Sequence, residues 1–287
     1  MTGKFLATFL VSAVLCLSGL NAVAQQDSSA EKSNIVKVNL SQAEIDKIVT
    51  AFSGKEGQYR QALNQYGFKR EATVQIAGFG GQIAGEFRRD SQFTFGDDGR
   101  RFEKIIFAPV SKISDLVTPE DLEDLGGVNQ FALEASKINQ YNFTFVGKEK
   151  IDELNLYVFD VAPKVMPDAK KTKERFFQGR IWVDDQDLQI VKTKGKGVPE
   201  TKDNKFPIVE TWRENIDGKY WFPTYAYAND QLYFDKIGTT EHIKLKIKFS
   251  DYKEGRSSVR ILDDDSSEVQ EKPQPVPDAK STPVKPQ

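Results

Sequence analysis

Residues 176–196 read FFQGRIWVDDQDLQIVKTKGK. Phe177, Gly179, Ile181 and Val183 alternate with Phe176, Gln178, Arg180 and Trp182. Alternation marks a strand, because successive side chains point to opposite faces. Asp184, Asp185, Gln186 and Asp187 interrupt the run with turn chemistry, since Asp side chains bond nearby backbone N–H groups. A second alternating run, Leu188 to Lys194, then returns. The stretch predicts a β-hairpin, and strands of the same character on both sides predict that it lies at the middle of one continuous antiparallel sheet.

Toward the C-terminus, Pro207 to Asn215 and Lys219 to Asn229 flank Asp217-Gly218, a strong hairpin signal. Gln231 to Asp235 reads as a short strand. Glu241 to Tyr252 closes the body: Ile243, Leu245, Ile247 and Phe249 face in, while Lys244, Lys246 and Lys248 face out. Such a lysine row is expected to protect a strand from edge pairing. Toward the N-terminus, 141–146 and 154–163 predict a hairpin across Gly147 to Asp152. Glu71 to Phe79, Ile83 to Phe95 and Arg101 to Ala108 predict three more strands, with Asp97-Asp98-Gly99 as a turn.

Two helix starts stand out. Ser41 and Glu44 form a capping box, in which the hydroxyl accepts from the N3 amide and the carboxylate reaches back. Ile45, Ile48, Val49 and Phe52 follow at helical spacing, and the pattern resumes with Tyr59, Leu63 and Tyr66. Gly54 and Gly57 leave one long helix or two short ones open. Thr118-Pro119-Glu120-Asp121 starts a second, short helix ending near Gly126-Gly127. The expected fold is mainly β (α+β): roughly ten strands in a single strongly curved antiparallel sheet forming an unclosed barrel. The N-terminal helix and the short second helix pack on its concave face or mouth.

The ends of the chain differ from this body. Lys4, the apolar run Phe5 to Leu17 and Ala22-Val23-Ala24 read as a signal peptide, residues 1–24, cleaved after Ala24. The run is too short to favour a spanning helix. Cys16, the one cysteine, lacks the neighbouring small residue that lipidation needs. Once the signal is removed no cysteine remains, which excludes disulfides, cysteine nucleophiles and thiolate metal sites. Residues 25–37 are polar and expected to be a flexible lead-in. Residues 263–287, opening with DDDSSE and continuing Pro-rich, predict a disordered tail. One domain is expected, residues 38–262.

The chain holds 40 basic and 42 acidic residues, so no positive excess invites nucleic acid. The cluster Gly78, Gly80, Gly81 and Gly85 opens no helix and is followed by no Lys-Ser or Lys-Thr. It therefore reads as turns, not a phosphate loop. His242, the single histidine, falls on the lysine face, and no G-x-S-x-G elbow accompanies it. Asp184, Asp185 and Asp187 lack the further ligands of a calcium loop. The acidic segment around Glu120 to Asp124 reads as a solvated helix face. No metal, cofactor or catalytic residue is expected.

The hairpin G-R-I-W-V-D with its later I-V-K, followed by I-D-G-K-Y-W-F-P at 216–223, resembles bacterial outer-membrane lipoprotein-sorting proteins with the LolA/LolB-like half-barrel. The resemblance spans roughly residues 41 to 252, rests on hairpins and turns, and implies an unclosed barrel whose helical lid covers an apolar, acyl-binding cavity. The inward-facing candidates to line it are Phe143, Phe145, Leu156, Val158, Ile181, Val183, Ile190, Phe222, Leu245 and Ile247. Ile45, Ile48, Val49 and Phe52 would form the lid. The expectation is a non-enzymatic periplasmic protein that holds an acyl chain or a lipidated partner, without a transmembrane segment in the mature chain. The alternatives are an envelope protein that docks a protein partner on its curved sheet, and a secreted hydrolase with a carboxylate site.

Overall fold

The computed structural model describes residues 34–96, 99–113, 117, 121, 133–171, 174–201, 205–235 and 238–255. The expected signal peptide, the second helix apart from Asp121, and the C-terminal tail lie outside them.

Helix α1 spans Gln42–Leu63. Its start is the capping box: Ser41 Oγ accepts from the Glu44 amide, and the Glu44 carboxylate accepts from the Ser41 amide at 2.7 Å. Gly54 and Gly57 do not split the helix, because its buried residues Ile48, Phe52, Glu56, Tyr59 and Leu63 keep one face against the sheet throughout. Tyr66, which continued the helical spacing, instead opens a strand three residues after the helix ends.

The strands are β1 (Tyr66–Ala77), β2 (Ile83–Phe95), β3 (Arg101–Phe107), β4 (Tyr141–Ile151), β5 (Leu154–Pro163), β6 (Phe176–Asp184), β7 (Ile190–Val198), β8 (Val209–Ile216), β9 (Tyr220–Phe234) and β10 (Thr239–Glu254). They form one ten-stranded sheet in the order β3-β2-β1-β10-β9-β8-β7-β6-β5-β4, with every neighbouring pair antiparallel. Its two edges, β3 and β4, do not pair with each other, so the barrel is unclosed.

Several local expectations change. The 176–196 hairpin is formed as β6 and β7, but it lies toward the β4 edge. The middle belongs to β9 and β8, because β10 returns to pair with β1 and so adds β1, β2 and β3 beyond it. That pairing also makes β10 an interior strand, so its lysines line a face of the sheet and guard no edge. β9 absorbs the separate short strand expected at 231–235. β4 runs on to Ile151 through a bulge at Gly147, and its turn is Asp152-Glu153. Gly147 has φ 154, and a Cβ there would lie 2.5 Å from the Val36 carbonyl oxygen. Val36, expected in a flexible lead-in, pairs with Lys148 through bonds of 2.7 and 2.9 Å. It covers part of the β4 edge.

The concave face carries two apolar clusters. One gathers Tyr59, Leu63, Tyr66, Phe68, Val74, Phe222, Leu245 and Ile247. The other gathers Ile48, Phe52, Phe159, Ile181, Val183 and Ile190. A third, smaller cluster of Leu156, Val158, Trp182 and Val191 lies on the convex face.

Candidate functional site

Helix α1 crosses both concave clusters and fills much of the space the sheet encloses. Phe52 is 0% exposed and packs on Phe143 at 5.5 Å and Phe159 at 6.1 Å between ring centroids. One turn apart on the same face come Glu56 and Tyr59. Glu56 accepts two hydrogen bonds from Arg213 of β8, at 2.6 and 3.2 Å. The Arg213 guanidinium lies 4.3 Å from the Tyr59 ring centroid and also donates to the Ile190 carbonyl at 3.3 Å. Burial opposes the charge on Arg213, but the Glu56 carboxylate outweighs that and raises its pKa above the ordinary value. Burial pushes the Tyr59 hydroxyl up to about 12. This buried ion pair bears on a small cavity of about 10 Å³ that Ile181 and Ile190 also line.

The lining candidates are therefore divided. Ile181, Val183 and Ile190, with Phe143 and Phe145 at their margin, pack in the cluster that Ile48 and Phe52 belong to. Ile45 and Val49 lie against the same cluster, which holds five of the ten lining candidates. Phe222, Leu245 and Ile247 lie in the other concave cluster. Leu156 and Val158 are a correction: they lie on the convex face with Trp182 and Val191. β5 is apolar on both faces, with Leu154, Leu156 and Val158 against Tyr157, Phe159 and Val161, so alternation could not choose its inner set. The concave residues of β5 are Phe159 and Val161.

Open apolar space occurs at the far end of the concave face, where no α1 side chain lines it. Val74 and Ile76 of β1, Ile243 and Leu245 of β10, Leu232 and Phe234 of β9, and Ile113, Val117 and Pro207 wall a small open cavity of about 40 Å³. Lys205 and Asp121 stand at its rim, and Lys205 is paired with Asp235 at 3.4 Å. Only Leu245 of this lining was among the candidates. Ile243 carried the same inward alternation, whereas Ile113 and Val117 come from a segment without periodicity.

Polar clusters serve the fold. Arg70 of β1, on the concave face and 2% exposed, donates to Glu103 of β3 at 2.9 Å. Arg89 grips the same carboxylate at 2.9 and 2.7 Å, and Ser91 donates to it at 2.5 Å. Burial raises the Glu103 pKa, but the bonds from Ser91 and Arg89 and the two guanidinium charges win, leaving it below the ordinary carboxylate value. The acids of the β6–β7 turn are turn caps. Asp184 accepts from the Gln186 and Asp187 amides, and Asp187 accepts from Trp221 Nε1 at 2.9 Å. Asp185 pairs with Lys148. His242 Nε2 lies 2.5 Å from Asn229 Oδ1. Among the described residues, no three His, Cys, Asp or Glu side chains gather as a metal site needs.

No family model matches this chain, and no curated protein matches it. Solved structures do. A DUF1329 family protein from Desulfovibrio piger is 16% identical with a TM-score of 0.38, over 72% of this chain and 92% of that one. A LolA superfamily protein from Nitrosomonas europaea is 14% identical with a TM-score of 0.32, over 70% and 93%. A putative outer membrane lipoprotein-sorting protein domain from Vibrio parahaemolyticus is 12% identical with a TM-score of 0.31, over 70% and 91%. At these identities and TM-scores they assign no function to this chain.

Proposed function

We propose that this chain is an exported, non-enzymatic envelope protein that binds an apolar chain in the cleft walled by β1, β10, β9 and the segment of Ile113 and Val117. The chain would be a hydrocarbon tail, free or carried by a lipidated protein. The carrying observation is the composition of that cleft: nine apolar side chains around an open cavity that α1 leaves uncovered. Each methylene removed from water is worth about 0.8 kcal/mol, so a long tail binds usefully without a polar anchor. The 40 Å³ cavity holds far less than a drug-sized pocket of about 300–1,000 Å³. Binding a long tail therefore requires the cleft to widen. In this reading residues 1–24 are the cleaved signal, the body is 38–262, and 263–287 is a tail outside the fold. Among the described residues no helix is long and apolar enough to cross a membrane.

Titration of the purified, delipidated protein with a fluorescent fatty acid tests this. Saturable binding is expected, and Ile113→Trp, which fills the cleft from its rim, should abolish it with the far-UV circular dichroism unchanged. An absence of binding, or binding that Ile113→Trp leaves intact, would remove the cleft from consideration. The second reading, a protein partner docked on the sheet, draws on a different observation: under α1 the interior is filled by Phe52, Phe159, Ile181 and Ile190.

A further inference from the structure

We propose that the convex face of the sheet, at its β1–β2 turn end, docks on an anionic lipid bilayer surface. The turn Gly78–Gln82 carries Phe79, which is 99% exposed. Gly80 and Gly81, with φ of 79 and 83, make the reversal that holds it there. Close by, Ile83 is 56% exposed, and on β9 Tyr233 and Tyr227 are 52% and 41% exposed. Register brings these groups onto one surface. Ala77 stands opposite Ile83 of β2 and His242 of β10, and Thr240 stands opposite Tyr233.

Cations continue the same surface. Lys244 and Lys246 alternate with the buried Ile243, Leu245 and Ile247, so they project from the convex side. Lys244 lies between Gln75 and Asn229, and Lys246 between Thr73 and Tyr227, all uncharged. Two acids stand near these lysines, one in the groove and one paired. Glu86 accepts from Gln75 at 2.6 Å, and Asp90 is held by Arg88 at 2.7 Å. Glu71 stands opposite Lys248, farther along. Thr73, Gln75, Glu86, Arg88, Tyr227, Lys244, Leu245 and Lys246 line a shallow groove of about 410 Å³, in which three cations face one carboxylate.

An exposed apolar tip, amphipathic tyrosines and lysines that outnumber the groove's single carboxylate form the combination that a headgroup layer accepts. The phenyl ring enters the acyl boundary, the tyrosines lie at headgroup level, and the lysines meet lipid phosphates. An acidic polypeptide would satisfy Lys244 and Lys246 but leave Phe79 in water, which favours the bilayer. This surface lies on the opposite side of the sheet from the apolar cleft and does not depend on ligand binding there.

The test is co-sedimentation of protein purified from cells expressing the full-length chain with vesicles of phosphatidylcholine, with and without phosphatidylglycerol. Binding is expected with phosphatidylglycerol only and should fall with added salt. Phe79→Ser, and separately the pair Lys244→Glu and Lys246→Glu, should each weaken it at least roughly fivefold. Phe79 and Lys246 are exposed and Lys244 is half-buried, and a thermal melt checks that the fold is kept. Phe79→Trp provides a second readout, a blue shift of its emission on vesicle addition. No binding, equal binding to both vesicles, or no effect of either variant would overturn the proposal. Binding to polyglutamate that survives Phe79→Ser would also overturn it, in favour of an acidic polypeptide.

Discussion

Arg213 and Glu56 are the residues on which the interior turns. Each charge has left water, and each is satisfied by the other. Removing one partner leaves the other buried and uncompensated, which typically costs about 3–5 kcal/mol. Arg213→Met is expected to lower stability by about that amount in urea unfolding. The double replacement with Glu56→Leu should restore most of it, because a matched apolar pair needs no compensation. Glu103 gives a pH dependence whose sign follows from its surroundings. Its folded pKa lies below the ordinary 4.5, as does that of Glu210, where Lys192 and Lys194 outweigh burial. The stability these carboxylates contribute is therefore complete above about pH 4.5 and lost as pH falls below it. Melting temperatures from pH 6 down to pH 3.5 should show a steep decline, and Glu103→Gln should make it shallower while lowering the value at pH 6.

Among elements, the β6–β7 hairpin was legible because its alternation, its Asp-rich turn and its returning run all agree. What alternation did not convey is how tightly its strands approach. Gly179 and Gly195 are opposite one another. A Cβ at Gly195 would lie 2.5 Å from the Gln178 carbonyl and 2.6 Å from the Phe177 ring. Gly195→Ala is expected to destabilise by about 1–3 kcal/mol, since the obstruction includes rigid backbone. Gly54 of α1, where nothing lies within 4 Å of an added Cβ, is the control: equal destabilisation by Gly54→Ala would contradict a packing cause, since Ala is the better helix former. β5 is the opposite case. Both its faces are apolar, so only its pairing with β6 shows that Phe159 and Val161, not Leu156 and Val158, face the helix.

At the scale of the whole molecule, the decisive contact is β1 with β10. It joins the beginning and the end of the body, and turns two meanders into one sheet. A chain ending at residue 238 should therefore lose cooperative unfolding altogether, as seen by circular dichroism during heating. Removal of 263–287 should leave the melting temperature within a few degrees, since their polar and Pro-rich composition offers little to bury. The sequence by itself determined the capped first helix, a sheet of roughly ten strands, the β6–β7 and β8–β9 turns, the inner face of β10 and the mainly β class. All of these are encoded in neighbours a few residues apart, through side-chain period and turn chemistry. Tertiary structure alone decided which strands are interior and which face of β5 turns inward. It also decided that α1 fills one part of the concave face and leaves the Val74–Leu245 cleft open. These depend on contacts between separate elements, from β5 with β6 to β1 with β10 across the whole body, and a local pattern of hydrophobicity carries no record of them.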